Sequence, residues 1–250
     1  MKNCDKHPPC GRHPSEQLQA LFRKRPYQGQ NPDSAKYLFL SLDANLSKEI
    51  KEGSDGFQEF QAYLGDGVEW WEKALNSRTD APHTPLLVLK LQREFGDDGI
   101  RFHQKFRQLF DQLREVPDLP QKVSFIELLP YLTYGRTSRC RSWYFQEIKS
   151  CVDHLGWVDR LITKEGKLVF AAVGVFRILE RLKGWEGLFI GVPQGLKFDH
   201  KQNPVTPVPL GNGKIHVHTH FSSAVSNATL AEIAKLILEA EVLKRRQSSP

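Results

Sequence analysis

Apolar and polar positions along this chain fall into short solid blocks separated by amphipathic stretches. Residues 37–42 (YLFLSL), 123–129 (VSFIELL) and 167–173 (KLVFAAV) are near-continuous apolar runs flanked by turn formers, the pattern of strands buried on both faces of a parallel sheet. Residues 215–219 read as the last strand and 187–192 as a further one. Elsewhere the apolar spacing turns to three and four, the period of helices. Leu18, Leu21 and Phe22 follow a capping Ser15, and shorter pieces span 57–64 and 68–75. Phe106, Leu109, Phe110 and Leu113 mark a helix over 103–113, and Ile148, Val152 and Leu155 one over 143–155. Gly174 turns the chain into a helix over 175–182, and Ile233, Leu236, Ile237 and Ala240 stripe a terminal helix over 229–245. The Pro- and Gly-rich residues 193–213 read as a long loop. Strand and helix alternating in this way predict an α/β fold, a three-layer α/β/α sandwich around a central, mostly parallel sheet of four to five strands.

A chain of 250 residues suits one such domain, expected over 31–246, with an extended lead-in over 1–30 and a short tail over 247–250. Two of its strands stop abruptly at polar residues: Asp43 and Asn45 in KYLFLSLDANLS, and His220, Ser222 and Ser223 in KIHVHTHFSSAVSN. Open α/β sheets bind ligands at the carboxyl ends of their strands, so these two ends predict one pocket.

Composition adds a direction. A net charge of +6 favours a polyanionic partner, with Arg136, Arg139, Arg141, Lys197 and Lys201 as candidate phosphate contacts. No apolar run approaches the roughly 20 residues that span a bilayer, and the amino terminus lacks the apolar core of a signal peptide. The expectation is a cytoplasmic monomer with no membrane partner. Cys4, Cys10, Cys140 and Cys151 are then expected as thiols or metal ligands rather than as disulfides. Cys4, His7, Cys10 and His13 recur every third residue, which suits a metal site, but Pro8 and Pro9 break any helix that would align them and equally suit a partly disordered terminus.

The order of these features resembles the uracil-DNA glycosylase superfamily, from about residue 31 to the terminal helix. NPDSAKYLFLSLDANLS is similar to that family's water-activating motif, VSFIELLP to its base-reading strand, KLVFAAVGVFRILERL to the strand that turns through glycine into a helix, and HTHFSSAVSN to its histidine–serine loop. The resemblance implies a protein that hydrolyses the N-glycosidic bond of a flipped base in single- or double-stranded DNA. Asp43 would orient a water and offset charge on the sugar, and His220 would donate to the carbonyl beside the breaking bond. Ser222 would hold a phosphate with Ser223 beside it, and Ala224 or Val225 would wedge into the stack. Asn45 and Phe57 would contact the substrate, and Arg136 and Arg139 the DNA backbone. Asp43 as a turn or helix cap, and the histidines as packed strand-end residues, are the structural alternatives.

Departures from the pattern carry their own expectations. Ser41 and Ala44 stand where glycine and proline are usual, and Phe221 where proline is. Glu127 takes the place of the asparagine that reads uracil. An ionised carboxylate only accepts hydrogen bonds, so an amino-bearing or modified base is expected instead, or else Glu127 pairs with Arg136 or Arg139 and reads nothing. One branch of the superfamily holds an iron–sulfur cluster on two early and two central cysteines, which implies Cys4, Cys10, Cys140 and Cys151 here; no cofactor is the main expectation, a cluster or zinc ion the minor one. Two rival functions stand beside glycosylase: a non-catalytic nucleic-acid-binding member of the fold, and a metal-dependent phosphoesterase using His216, His218 and His220, which alternate on one strand.

Overall fold

The structure is a computed structural model that describes residues 10–54, 57–76, 101–135, 140–164, 166–221 and 225–247. Its strands are β1 (Cys10–Arg12), β2 (Tyr27–Gly29), β3 (Tyr37–Ser41), β4 (Val123–Glu127), β5 (Thr133–Gly135), β6 (Leu168–Ala172), β7 (Val205–Leu210) and β8 (Gly213–His218). Its helices are α1 (Glu16–Lys24), α2 (Phe57–Gly65), α3 (Gly67–Asn76), α4 (Arg101–Asp111), α5 (Arg141–Lys149), α6 (Val152–Thr163), α7 (Val173–Leu182) and α8 (Asn227–Gln247).

Six strands, rather than the expected four to five, form one sheet in the order β2-β4-β3-β6-β8-β7, because the short β2 and the proline-bearing β7 add edges that the apolar pattern does not show. The inner four are mutually parallel: β3, β4 and β6 are the three solid apolar runs and β8 is the expected last strand; β2 and β7 close the edges antiparallel. Alternate side chains feed two cores. On one face Leu38, Leu40, Ile126, Val169, Ala171 and Val217 pack with Ile148, Leu155, Val158, Phe176 and Leu179, from α5, α6 and α7. On the other, Phe39 stacks between Phe125 and Phe170 with 5.1 Å between centroids on each side, beneath Phe106 and Phe110 of α4 and Ile233 and Ile237 of α8. Each such buried phenylalanine contributes about 2–3 kcal/mol of transfer free energy. Helices on both faces of a parallel sheet give the predicted three layers.

Three expectations about the elements need correction. Residues 187–192 are not a strand: Glu186 and Phe189 adopt positive φ, and the apolar run is a loop that drives Phe189 and Val192 into the core while Ile190 is exposed. The long loop over 193–213 contains β7, whose inward Val208 and Leu210 alternate with exposed Pro207 and Pro209; prolines are tolerated there because β7 is an edge. The single helix over 143–155 is two, α5 and α6, separated where the Ser150 hydroxyl donates to the Glu147 carbonyl at 2.7 Å. In the expected lead-in, Ser15 caps α1 by accepting from the Leu18 N–H at 3.2 Å, β1 pairs with β5, and β2 extends the sheet. No helix among the described residues is long and apolar enough to cross a membrane.

Candidate functional site

From β3, at the middle of the sheet, the chain passes to β4 on one side and later to β6 on the other. The crevice outside the carboxyl end of such a strand is where open α/β sheets take ligands. Register places the predicted residues at this edge. Leu40, Ala171 and Val217 lie in line across β3, β6 and β8, and Asp43 and His220 are each three residues further on. Both therefore follow strands that flank β6, each two residues beyond the end of its strand.

Between them the chain turns directly from β6 into α7. Ala172 at the N-cap offers no side-chain cap, so the first amides of α7 and the positive end of its dipole open onto this edge. A carbon added at Gly174 would meet no atom within 4 Å, so the space beside this turn is open.

On the β3 side the Thr133 hydroxyl donates to Asp43 Oδ2. Asn45 Nδ2 spans the same group, donating to the Gly135 carbonyl at 2.8 Å, to Thr133 Oγ1 at 3.2 Å and to Asp43 Oδ2 at 3.4 Å. Asn45 thus acts here on the orientation of Asp43. The Tyr144 hydroxyl, from α5, donates to the Leu42 carbonyl, and burial together with the nearby Asp43 and Glu127 holds its proton firmly on.

Glu127, level with Ser41 at the end of β4, is 3% exposed. Gln28 Nε2 donates to its Oε1 at 3.1 Å, and the Tyr63 hydroxyl donates to Gln28 Oε1 at 2.8 Å. Its Oε2 is buried with no hydrogen-bond partner among the described residues. Burial, and next the charge of Asp43, push the Glu127 carboxyl up to about 8, against the opposing bond from Gln28. Gln28, Tyr63, Thr133 and Tyr144 escaped sequence reading because they sit on elements far apart in the chain and carry no motif; only the fold brings them to one place.

On the β8 side His220 is partly buried and held neutral by desolvation. His218 donates from Nδ1 to the Thr219 carbonyl at 2.8 Å, and burial, with help from neighbouring His220 and His200, pushes it down to about 4. His216 lies beneath α8 against Phe170, with both ring nitrogens buried and unpartnered among the described residues. Phe221, in the place of the expected proline, stacks on Phe106 at 4.1 Å and anchors the loop in the core.

Comparison with known proteins finds no match: no family model fits the chain, and no curated protein and no solved structure is significantly similar to it.

Other expected residues are distributed as follows. Val225 is 4% exposed and packs with Phe221 and Leu230, so it points into the core and is not a surface wedge. Phe57 is 7% exposed and lies in an apolar cluster with Leu46, Ile50 and Leu64 at the start of α2. Ser222, Ser223, Ala224, Arg136 and Arg139 lie outside the described residues, as do Cys4 and His7. Lys197, Lys201 and Arg141 are exposed.

The cysteines correct the expectation of free thiols. Cys10 and Cys140 are joined in a disulfide with 6.5 Å between Cα atoms, which ties β1 to the start of α5. Cys151 donates from its thiol to the Glu147 carbonyl at 3.3 Å, and His13 donates from Nε2 to the Ser47 carbonyl at 2.9 Å. With two of the four sulfurs bonded to each other, these residues do not fit a four-thiolate cluster or zinc site. Among the described residues no group of three or more His, Cys, Asp and Glu side chains is arranged to hold a metal ion, His216, His218 and His220 included.

Proposed function

We propose that the protein is a DNA glycosylase of the uracil-DNA glycosylase type, cleaving the N-glycosidic bond of a base turned out of the DNA stack. The observation that carries the reading is that Asp43 and His220 each follow, by two residues, the carboxyl end of a strand that flanks β6, with open space beside Gly174 at the β6–α7 turn.

In this reading a nucleotide enters with its sugar over the turn. Asp43, its carboxylate oriented by Thr133 and Asn45, positions the attacking water and stabilises positive charge developing on the sugar ring. His220, neutral because it is partly desolvated, donates a ring N–H to the carbonyl oxygen on which the departing base gathers charge. The open amides of α7 suit a phosphate or the anionic base. Glu127, two strand ends along, meets the far edge of the base, and the basic residues supply affinity for the backbone that weakens with salt.

The test is a panel of oligonucleotides, each carrying one altered base, scored for alkali-sensitive abasic sites. Wild-type protein is expected to release at least one base, and Asp43→Asn to lose about a hundredfold or more in rate while still binding DNA. A protein that binds every oligonucleotide and releases nothing is the binding module instead, and the glycosylase reading falls.

A further inference from the structure

Glu127 is buried at the carboxyl edge of the sheet with one oxygen unpartnered among the described residues, and its surroundings bear on how it is used. Tyr63 fixes the Gln28 amide by donating to its oxygen, so the Gln28 nitrogen faces Glu127 Oε1 and makes that oxygen an acceptor. The other oxygen, Oε2, is buried without a partner among the described residues. The groups facing the carboxyl are Asp43 from the β3 loop, Gln28 from β2, Tyr63 from α2 and Tyr144 from α5, while His154 of α6, kept neutral by burial, binds the Glu127 main-chain carbonyl at 2.8 Å. None of these is a cation, and Asp43 repels a second negative charge. An isolated buried carboxylate in such company is costly, whereas a neutral acid is not.

We propose that Glu127 works as a neutral carboxylic acid whose Oε2–H donates to the bound base, with Gln28 and Tyr63 as positioning residues that reserve Oε1 for accepting. A neutral carboxyl offers one donor and one acceptor, as a carboxamide does. The edge it complements carries a keto oxygen beside a ring N–H, and the amino-bearing edge expected from an ionised glutamate is the one it disfavours. This rests on the glycosylase reading for the position of the base, but the protonation state and the order of the Tyr63–Gln28–Glu127 chain are properties of the free protein.

Two measurements test it, neither using base release. Infrared difference spectra of free wild-type protein against Glu127→Gln are expected to show a neutral-acid carbonyl band at neutral pH that disappears with a midpoint near 8. A band already absent at neutral pH overturns the proposal, whatever the protein does to DNA. Chemical-shift titrations with free uracil and free cytosine are expected to favour uracil by about tenfold. Glu127→Gln should keep that preference and remove its decline above pH 8. Tyr63→Phe frees the Gln28 amide to turn its oxygen toward Glu127, which consumes the donor, and the preference should largely vanish. Equal binding of the two bases by wild-type protein, or an unchanged preference in Tyr63→Phe, overturns it. Failure of the glycosylase reading shows separately, in the abasic-site assay.

Discussion

Two buried glutamates at opposite ends of the same sheet have opposite fates. At the amino edge Glu241 of α8 accepts from Lys122 Nζ at 2.8 Å, from the Tyr37 hydroxyl at 2.5 Å and from Lys36 Nζ at 3.3 Å. Burial alone would raise its pKa, but Lys122, Tyr37 and Lys36 together pull it down to about 2. At the carboxyl edge Glu127 has one neutral donor, an anion for a neighbour and an oxygen unpartnered among the described residues, and rises to about 8. The amino edge is completed by its own side chains; the carboxyl edge is left wanting a partner. Folding tolerates such a deficit where a ligand supplies the missing contact, which is why strongly perturbed groups gather at functional sites.

The comparison breaks most easily at Glu127. In the unfolded chain this side chain ionises near 4.5, whereas in the folded protein it stays neutral up to about 8, so the folded state binds the extra proton between those values. Its contribution is intact below pH 4.5 and is lost as pH rises through 8. Wild-type protein should therefore lose about 5 kcal/mol across that window through this group, and Glu127→Gln should not. Urea unfolding at several pH values measures it. Parallel profiles for the two proteins would mean that Glu127 is paired, and the contrast between the edges would disappear.

Glu241→Ala probes the other side. It leaves Lys122 and Lys36 facing each other without their shared anion, and the expected loss is about 3 kcal/mol at neutral pH. The sign is opposite to that of Glu127: with a lowered pKa, Glu241 contributes its stability above 4.5 and loses it as pH falls through about 2. Denaturation midpoints of wild type and variant should converge toward strong acid. Base binding should be unchanged, because the network lies at the far end of the strands.

How much of this was legible follows from the range of the interactions. The parallel strands β3 and β6 were readable because each is buried on both faces and so is almost wholly apolar, YLFLS and LVFAA, whereas β8 was found from the alternation of Ile215 and Val217 with histidines. Asp43 and His220 were legible as candidates because each ends such a run, and the equal offset of both from the Leu40–Ala171–Val217 line is a consequence of register. Pro207 and Pro209 masked β7, since proline argues against a strand unless the strand is known to be an edge. Val225 was expected as a wedge only from the resemblance of its loop to the family's, and its packing with Phe221, itself stacked on Phe106, shows that the chain has already turned inward there. Read from the sequence alone, Glu127 carries the charge of a solvated carboxylate; the burial that pushes its pKa up to about 8 is a property of the assembled edge.

The smallest expected effect separates two meanings of an unpartnered polar atom. Like Glu127 Oε2, both His216 ring nitrogens lack a hydrogen-bond partner among the described residues, but His216 sits in the core against Phe170 at 5.5 Å, and the proposed site does not use it. Burial first, then the charge of Lys214, against the opposing Glu232, keep it neutral with its pKa down to about 4. Such a group gives full stability above pH 6.5 and withdraws it as pH falls through about 4, because the unfolded chain takes up the proton first. Phenylalanine has a similar ring and no atoms to leave unsatisfied, so His216→Phe should raise stability by about 1 kcal/mol at neutral pH and by more in mild acid. Melting temperatures at the two pH values check both claims. A gain at His216 beside a loss of base selectivity at Tyr63→Phe would show that only the deficit at the strand ends is functional; a His216→Phe protein that melts lower would mean that this histidine, too, answers to something the core requires.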